Sequence, residues 1–198
     1  MINPLRQELT DKLSIFSVYG VRFALHPVTF CTRVAMTSSI QITVAQVPEK
    51  VPFDRLVEIL LAAFAFQDGI VDPPSSAKSV NVSELQWRFA RDTLILAHDQ
   101  NGTVVGQVWI EDIGKDAYLY KLSVDPVIKG GGIGSALVEA ACAFAAKNGK
   151  EMMRLHVRVE LRDNIAFFRA RGFDIAGEGI HDGYDRPTFW KMARRLLV

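Results

Sequence analysis

The chain has 198 residues, 49% of them hydrophobic and 23% charged, with a formal net charge of +1. Such a composition suits one globular domain with a real core and excludes a disordered chain, while the near-zero charge offers neither a basic surface for nucleic acid nor an acidic tail. Two cysteines, Cys31 and Cys142, lie at no metal-ligand spacing, which excludes a disulfide scaffold and a zinc site and fits a reducing cytoplasm.

Residues 1–38 follow no clean period of 2 or 3.6 and are expected to be an N-terminal extension, weakly ordered, with Met36 as an alternative start to Met1; a packed arm is the other reading. The apolar run over 13–25 contains Arg22 and is too short to span a bilayer. It follows Asp11 and Lys12 and precedes no small-x-small cleavage site, so it is a poor signal peptide, and no membrane association is expected.

From residue 39 the patterning sharpens into one domain that runs to 198. "IQITVAQV" alternates as a strand, and "FDRLVEILLAAFAF" has helical spacing. "DGIVDPPSSAK" is a loop by its Gly, Pro and Ser content. "NVSELQWRFARD" is a second helix with Asn81 or Ser83 as its cap, and Trp87 and Phe89 are expected in its core face. Two strands, "TLILAHD" and "TVVGQVWIED", flank an Asn-Gly turn. A strand over 117–125 leads into a glycine loop, a helix ended by Asn148-Gly149, a strand over 151–160, a short helix over 164–172 and two closing strands.

The loop "DPVIKGGGIGSAL" places four glycines in five positions between a strand and a helix. Unpaired N–H groups at a helix start, aided by the helix dipole, bind phosphate, and Lys129 adds a full charge at the loop's edge. A P-loop would need Lys-Ser/Thr after Gly134, where Ser135-Ala136 stands; a dinucleotide fingerprint would need Gly or Ala at 135. A plain tight turn is the bland reading.

Lys129-Gly130-Gly131-Gly132-Ile133-Gly134 resembles the [RQ]-x-x-G-x-[GA] coenzyme A loop of the GNAT superfamily of N-acetyltransferases, with Lys in place of Arg or Gln. The element order from 40 to 196 and the segment "NIAFFRARGF" resemble that family too. The resemblance implies an α/β (α+β) fold: a mixed, mostly antiparallel sheet with a splayed central parallel strand pair, flanked by helices. It implies acetyl-CoA as donor, gripped by the backbone of Leu122, Ser123 and Val124, by N–H groups from Lys129 through Ser135, and by Asn164 and Phe167. Asn164 as a helix cap and Phe167 as core remain the bland readings. A homodimer is common in the family, though no residue here points to one.

For the chemistry, the resemblance gives the backbone N–H of Val124 to the carbonyl oxygen. The family's usual tyrosine acid is replaced by Phe168, and the place of a glutamate base by Tyr118. Glu111 or Glu160 could then deprotonate the amine, and Tyr120 or Tyr184 could supply a hydroxyl to the thiolate. Alternation puts His156 with Arg154, Arg158 and Glu160 on one strand face. Asp68, Asp72, Asp182 and Asp185 lie in the loops that would build the acceptor pocket, beside His181, and would suit a cationic amine. The expected function is acetyl transfer to a primary amine of a small molecule. A protein N-terminal or lysine acetyltransferase, and a non-catalytic acetyl-CoA binder, are the alternatives.

Overall fold

The computed structural model describes residues 40–128 and 131–197. The expected extension over 1–38 lies outside them, as do Lys129 and Gly130 of the glycine loop.

A seven-stranded sheet organises the domain. Its strands are β1 (Gln41–Val44), β2 (Thr93–His98), β3 (Val104–Ile113), β4 (Asp116–Val124), β5 (Met152–Arg158), β6 (Asp174–Gly179) and β7 (Phe189–Arg195), in the order β1-β2-β3-β4-β5-β7-β6. Every neighbouring pair is antiparallel except β4 and β5. The helices are α1 (Phe53–Phe64), α2 (Val82–Phe89), α3 (Ile133–Lys147) and α4 (Arg162–Arg169).

The sheet is covered on both faces, which explains why β2 reads as a continuous apolar run rather than an alternation. Leu94 and Leu96 pack under α1 and α2 with Leu56, Ile59, Leu60 and Trp109. Ile95 and Ala97 point the other way, into the core with Leu137, Val138 and Ala141 of α3. A buried polar link fixes α1 on the sheet: Gln107 Nε2 donates to the Leu56 carbonyl at 2.6 Å, and its Oε1 accepts from Trp109 Nε1 at 2.9 Å. A buried amide is retained at low cost only when both of its ends are paired like this.

Asn81 caps α2 by accepting from the Glu84 N–H at 3.0 Å. Trp87, expected in the core, is instead 55% exposed, with the Arg91 guanidinium 4.0 Å over its ring. The helix is only eight residues long, and its core face is spent on Leu85. Position 87, two residues on, is turned about 200° away at helical spacing.

α4 begins two residues earlier than its sequence pattern predicts, at Arg162, with Leu161 in the cap position and no side-chain cap. Asn164 therefore lies inside the first turn and is not the cap.

Candidate functional site

β4 and β5 pair only at Ala117–Met153 and Tyr118–Arg154, although β4 continues to Val124 and β5 to Arg158. The strands part beyond Tyr118. A cavity of about 760 Å³ opens between them, walled by 118–124 on one side and 155–158 on the other. That is ample for one small-molecule ligand and its contacts. A register shift in the β3–β4 pairing and a positive φ of 48° at Lys121 turn β4 away from β5 at this level.

The floor of the opening is the start of α3. Gly132 occupies the cap position with φ 73°, a left-handed backbone that glycine adopts without strain, and no side chain caps the helix. Asp125 sets the approach: its carboxylate accepts from the Val127 N–H at 2.9 Å and pairs with Arg55 of α1. Gly134 faces Phe167 of α4 so closely that a Cβ there would touch the ring at 3.5 Å. Gly134, Asn164 and Phe167 all line the cavity, together with Leu122, Ser123 and Val124. Ile133 is 5% exposed, so its side chain belongs to the core and only its backbone can serve a ligand. The residues described thus form a helix terminus with unpaired N–H groups at the mouth of a split sheet, which fits a diphosphate continuing into an extended arm.

Arg171, which motif reading passed over, completes this end. Its guanidinium donates to the Phe167 carbonyl and to Ser135 Oγ in the first turn of α3, and lies 3.5 Å over the Phe167 ring. Its Nε is buried without a partner. A signal was present in "FFRARG": Arg171 follows Phe167 by four residues, in the turn just past the end of α4, close enough in the chain to fold back on that ring.

At the other end, Phe168 is 8% exposed and edges against Phe167 and Phe173 while lining the cavity. Neither candidate hydroxyl is idle. Tyr120 lines the cavity but donates its O–H to Asp92, and burial with that carboxylate drives its pKa far up. Tyr184 lies outside the lining and donates to Asp72, which also raises its pKa. Glu111 is exposed, opposite Tyr118 in the β3–β4 register, and is not part of the wall. Burial and then the Glu111 charge push the Tyr118 phenol up to about 12. Glu160 is also outside the lining: its Oε1 accepts from the Asp72 N–H at 3.3 Å, and its Oε2 lies 3.8 Å from Arg158 Nε.

His156 does stand in the wall, its ring 5.1 Å from Tyr118 and 4.6 Å from Phe189. Partial burial, then the charges of Lys191 and His181, hold its pKa below the usual histidine value. A neutral imidazole at neutral pH accepts protons. His181 lines the same cavity, its Nδ1 2.6 Å from Thr188 Oγ1.

Both loops expected around the acceptor reach the cavity, through Phe66, Gln67, 73–76 and His181. The four loop aspartates do not line it. Asp68 is paired with Lys78 at 2.9 Å, and Asp72 with Arg186 at 3.3 Å. Asp182 and Asp185 are exposed.

Residues 53–173, more than half of the chain, match the acetyltransferase (GNAT) family. An uncharacterized N-acetyltransferase of Methanocaldococcus jannaschii is 38% identical over 97 residues, which are 45% of this chain and 43% of that protein. A mycothiol acetyltransferase of Propionibacterium freudenreichii is 27% identical over 144 residues, 68% of this chain and 44% of that protein. The chain thus spans less than half the length of these curated relatives. Among solved structures, the PaiA N-acetyltransferase of Thermoplasma acidophilum, determined in complex with coenzyme A, superposes with a TM-score of 0.63 at 19% identity, covering 78% of this chain and 99% of that one. An acetyltransferase from Streptococcus agalactiae gives a TM-score of 0.63 at 16% identity over 81% of this chain and all of the other. Such distant likenesses speak for the fold: a mixed seven-stranded α/β sheet with flanking helices.

Proposed function

This chain belongs to the GNAT acetyltransferase family, and on that premise we propose that it is an N-acetyltransferase that moves an acetyl group from acetyl-CoA to the primary amine of a small molecule. One observation carries the reading: a single cavity runs from the start of α3 through the gap between β4 and β5 to the loops around 66–76 and 181. Gly132, Gly134 and Ser135, with Arg171 beside them, would hold the diphosphate. Leu122 to Val124 would carry the extended arm, with Asn164 and Phe167 opposite. Lys129 and Gly130 belong to the proposal by their place in the loop motif.

Bound there, acetyl-CoA supplies a thioester carbonyl and a thiolate leaving group. The residues around it have three tasks. His156 takes the proton from the attacking amine, in preference to Glu111 and Glu160, which lie outside the wall. The backbone N–H of Val124 faces the carbonyl oxygen as it gains charge. Phe168 donates no proton, so the thiol, with an ordinary pKa near 8.5, leaves with water as its proton source. The bounded cavity favours a small acceptor over a polypeptide, which would need a wide, shallow groove.

The experiment is isothermal titration with acetyl-CoA, with coenzyme A and NAD for comparison, on the wild type and on Gly132→Asp. It is followed by thiol release in the presence of amines. Binding of acetyl-CoA that the variant abolishes, with thiol released on adding an amine, is the expected result. A folded wild type that ignores acetyl-CoA overturns the proposal at its centre. Binding without transfer to any amine leaves a binding module, the reading that Phe168 and the engaged tyrosine hydroxyls favour.

A further inference from the structure

The chemistry of the acceptor wall narrows the substrate class. Among the described residues lining the cavity there is no aspartate or glutamate. The ionisable groups there are Lys121, His156, Arg158, His181 and two tyrosines. A polyamine or other multiply charged cation entering this space would find no carboxylate to compensate the water it sheds, and burying an unpaired charge is costly. The aspartates that sequence pattern offers to such a cation are paired elsewhere or stand outside the wall.

Arg158 is the group built to recognise the opposite charge. Its side chain is 15% exposed, at the end of β5 facing the loop around Pro73. Nη2 donates to the Pro73 carbonyl at 2.7 Å. Nε lies 3.8 Å from Glu160 Oε2, within ion-pair range but beyond hydrogen-bond reach, and both atoms are buried without a hydrogen-bond partner. The guanidinium is therefore held from two sides, and both Nη1 donors and the second Nη2 donor are engaged by neither contact. A planar fork fixed in a wall is suited to a carboxylate in a way that a lysine ammonium is not. Most of the side chains around it at this end are apolar or aromatic, Phe64, Phe66, Pro73, Pro74 and Tyr118, interspersed with the uncharged Gln67, Ser75 and Ser76.

We propose that the acceptor is an amino carboxylate with an apolar body, of the kind of an apolar amino acid, and that Arg158 holds its carboxylate while the amine faces His156. This rests on the acetyltransferase reading for the fate of the amine, but not for the carboxylate contact, and the test separates the two.

Thiol release from acetyl-CoA is measured with phenylalanine, phenylalaninamide, phenethylamine and spermidine. In parallel, binding of N-acetylphenylalanine and of its amide is measured by calorimetry at saturating coenzyme A. The wild type is expected to favour each acid over its amide by about 10- to 100-fold, the range of a charge-assisted contact. Arg158→Gln should collapse the acid-to-amide ratio to near unity with coenzyme A affinity unchanged, and Arg158→Lys should fall between. A merely structural role would lower acid and amide alike and leave the ratio intact, which overturns the proposal. Preference for spermidine or phenethylamine overturns it too, while leaving the acetyltransferase standing. Arg158-dependent acid binding without any thiol release supports the carboxylate site and sinks the enzymatic reading. If neither the acid nor the amide binds, the carboxylate site is overturned.

Discussion

Replacing Arg171 by Gln tests the proposed diphosphate-binding end of the site. In the protein alone the guanidinium sits beside the first turn of α3, where the helix dipole is positive, a placement that costs about 0.3–1 kcal/mol. Its bonds to the Phe167 carbonyl and to Ser135 Oγ, and its stacking on the Phe167 ring, offset that cost. Removal should therefore change the stability of the free protein by about 1 kcal/mol or less, or a shift in Tm of about 2–4 °C for a chain of this size. Coenzyme A binding should respond far more. A charged hydrogen bond to the diphosphate is worth about 1.5–3 kcal/mol, so Kd should rise by roughly 10- to 150-fold. Part of that loss should vanish at high salt, where the wild type itself weakens. Titration calorimetry on wild type, Arg171→Gln and Arg171→Lys, with thermal unfolding in the absence of ligand, measures both quantities. A variant that binds coenzyme A within twofold of wild type, yet melts well below it, would show that Arg171 only ties α4 to α3, and the reasoning would fail.

His156→Gln should lower kcat/KM by about 10²–10⁴-fold and erase the acidic limb of its pH profile. Because the folded pKa is depressed, that limb should lie below pH 6.5, with His156 neutral and competent above it; the same histidine contributes stability that is full above pH 6.5 and lost as pH falls through the folded value. A limb unchanged in the variant would remove His156 as the base. Phe168→Tyr should alter kcat by less than tenfold, and a Tm cost of a few degrees is expected if the hydroxyl finds no partner among Phe167 and Phe173. A gain of two decades in kcat would instead show that a missing acid limits the wild type. Gly106→Ala should destabilise by about 1–3 kcal/mol, since its Cβ would lie 3.1 Å from Leu137 Cδ1 and 3.2 Å from the Ser123 carbonyl; an unchanged Tm in thermal unfolding would contradict this.

Local signals carried much of this architecture. The Asn-Gly turn, the β-branched strands and the paired glycine stops gave the element order because each is decided within a few residues. The glycine loop marks the start of α3 for the same reason, while "NIAFFRARGF" locates α4 but misses its start by two residues. What sequence could not resolve is set by partners distant in the chain. Asp68 and Asp72 are open to a ligand by sequence pattern, yet Lys78, Arg186 and Tyr184 engage them in the fold. Tyr120 is a candidate proton source by sequence, yet its hydroxyl is engaged by Asp92, 28 residues away in the chain. Trp87 is exposed against expectation because hydrophobic character alone does not tell which face of a short helix meets the sheet.

The two residue pairs that join β4 to β5 divide the sheet into unequal leaves, β1–β4 and β5–β7, stitched at one end and gaping at the other. The backbone bond from the Glu151 N–H to the Lys115 carbonyl, 2.9 Å, reinforces the stitched end. An open sheet ordinarily has its raw edges at the outside; this one carries two more in its middle. A ligand in the gap, as proposed above, would pair there much as an eighth strand does, and at a hundredfold over its Kd would add about 2.7 kcal/mol to the stability of the whole. On the proposed reading the ligand-bearing form would then also be the more stable one, its ligand joining the two leaves that few backbone pairs join without it.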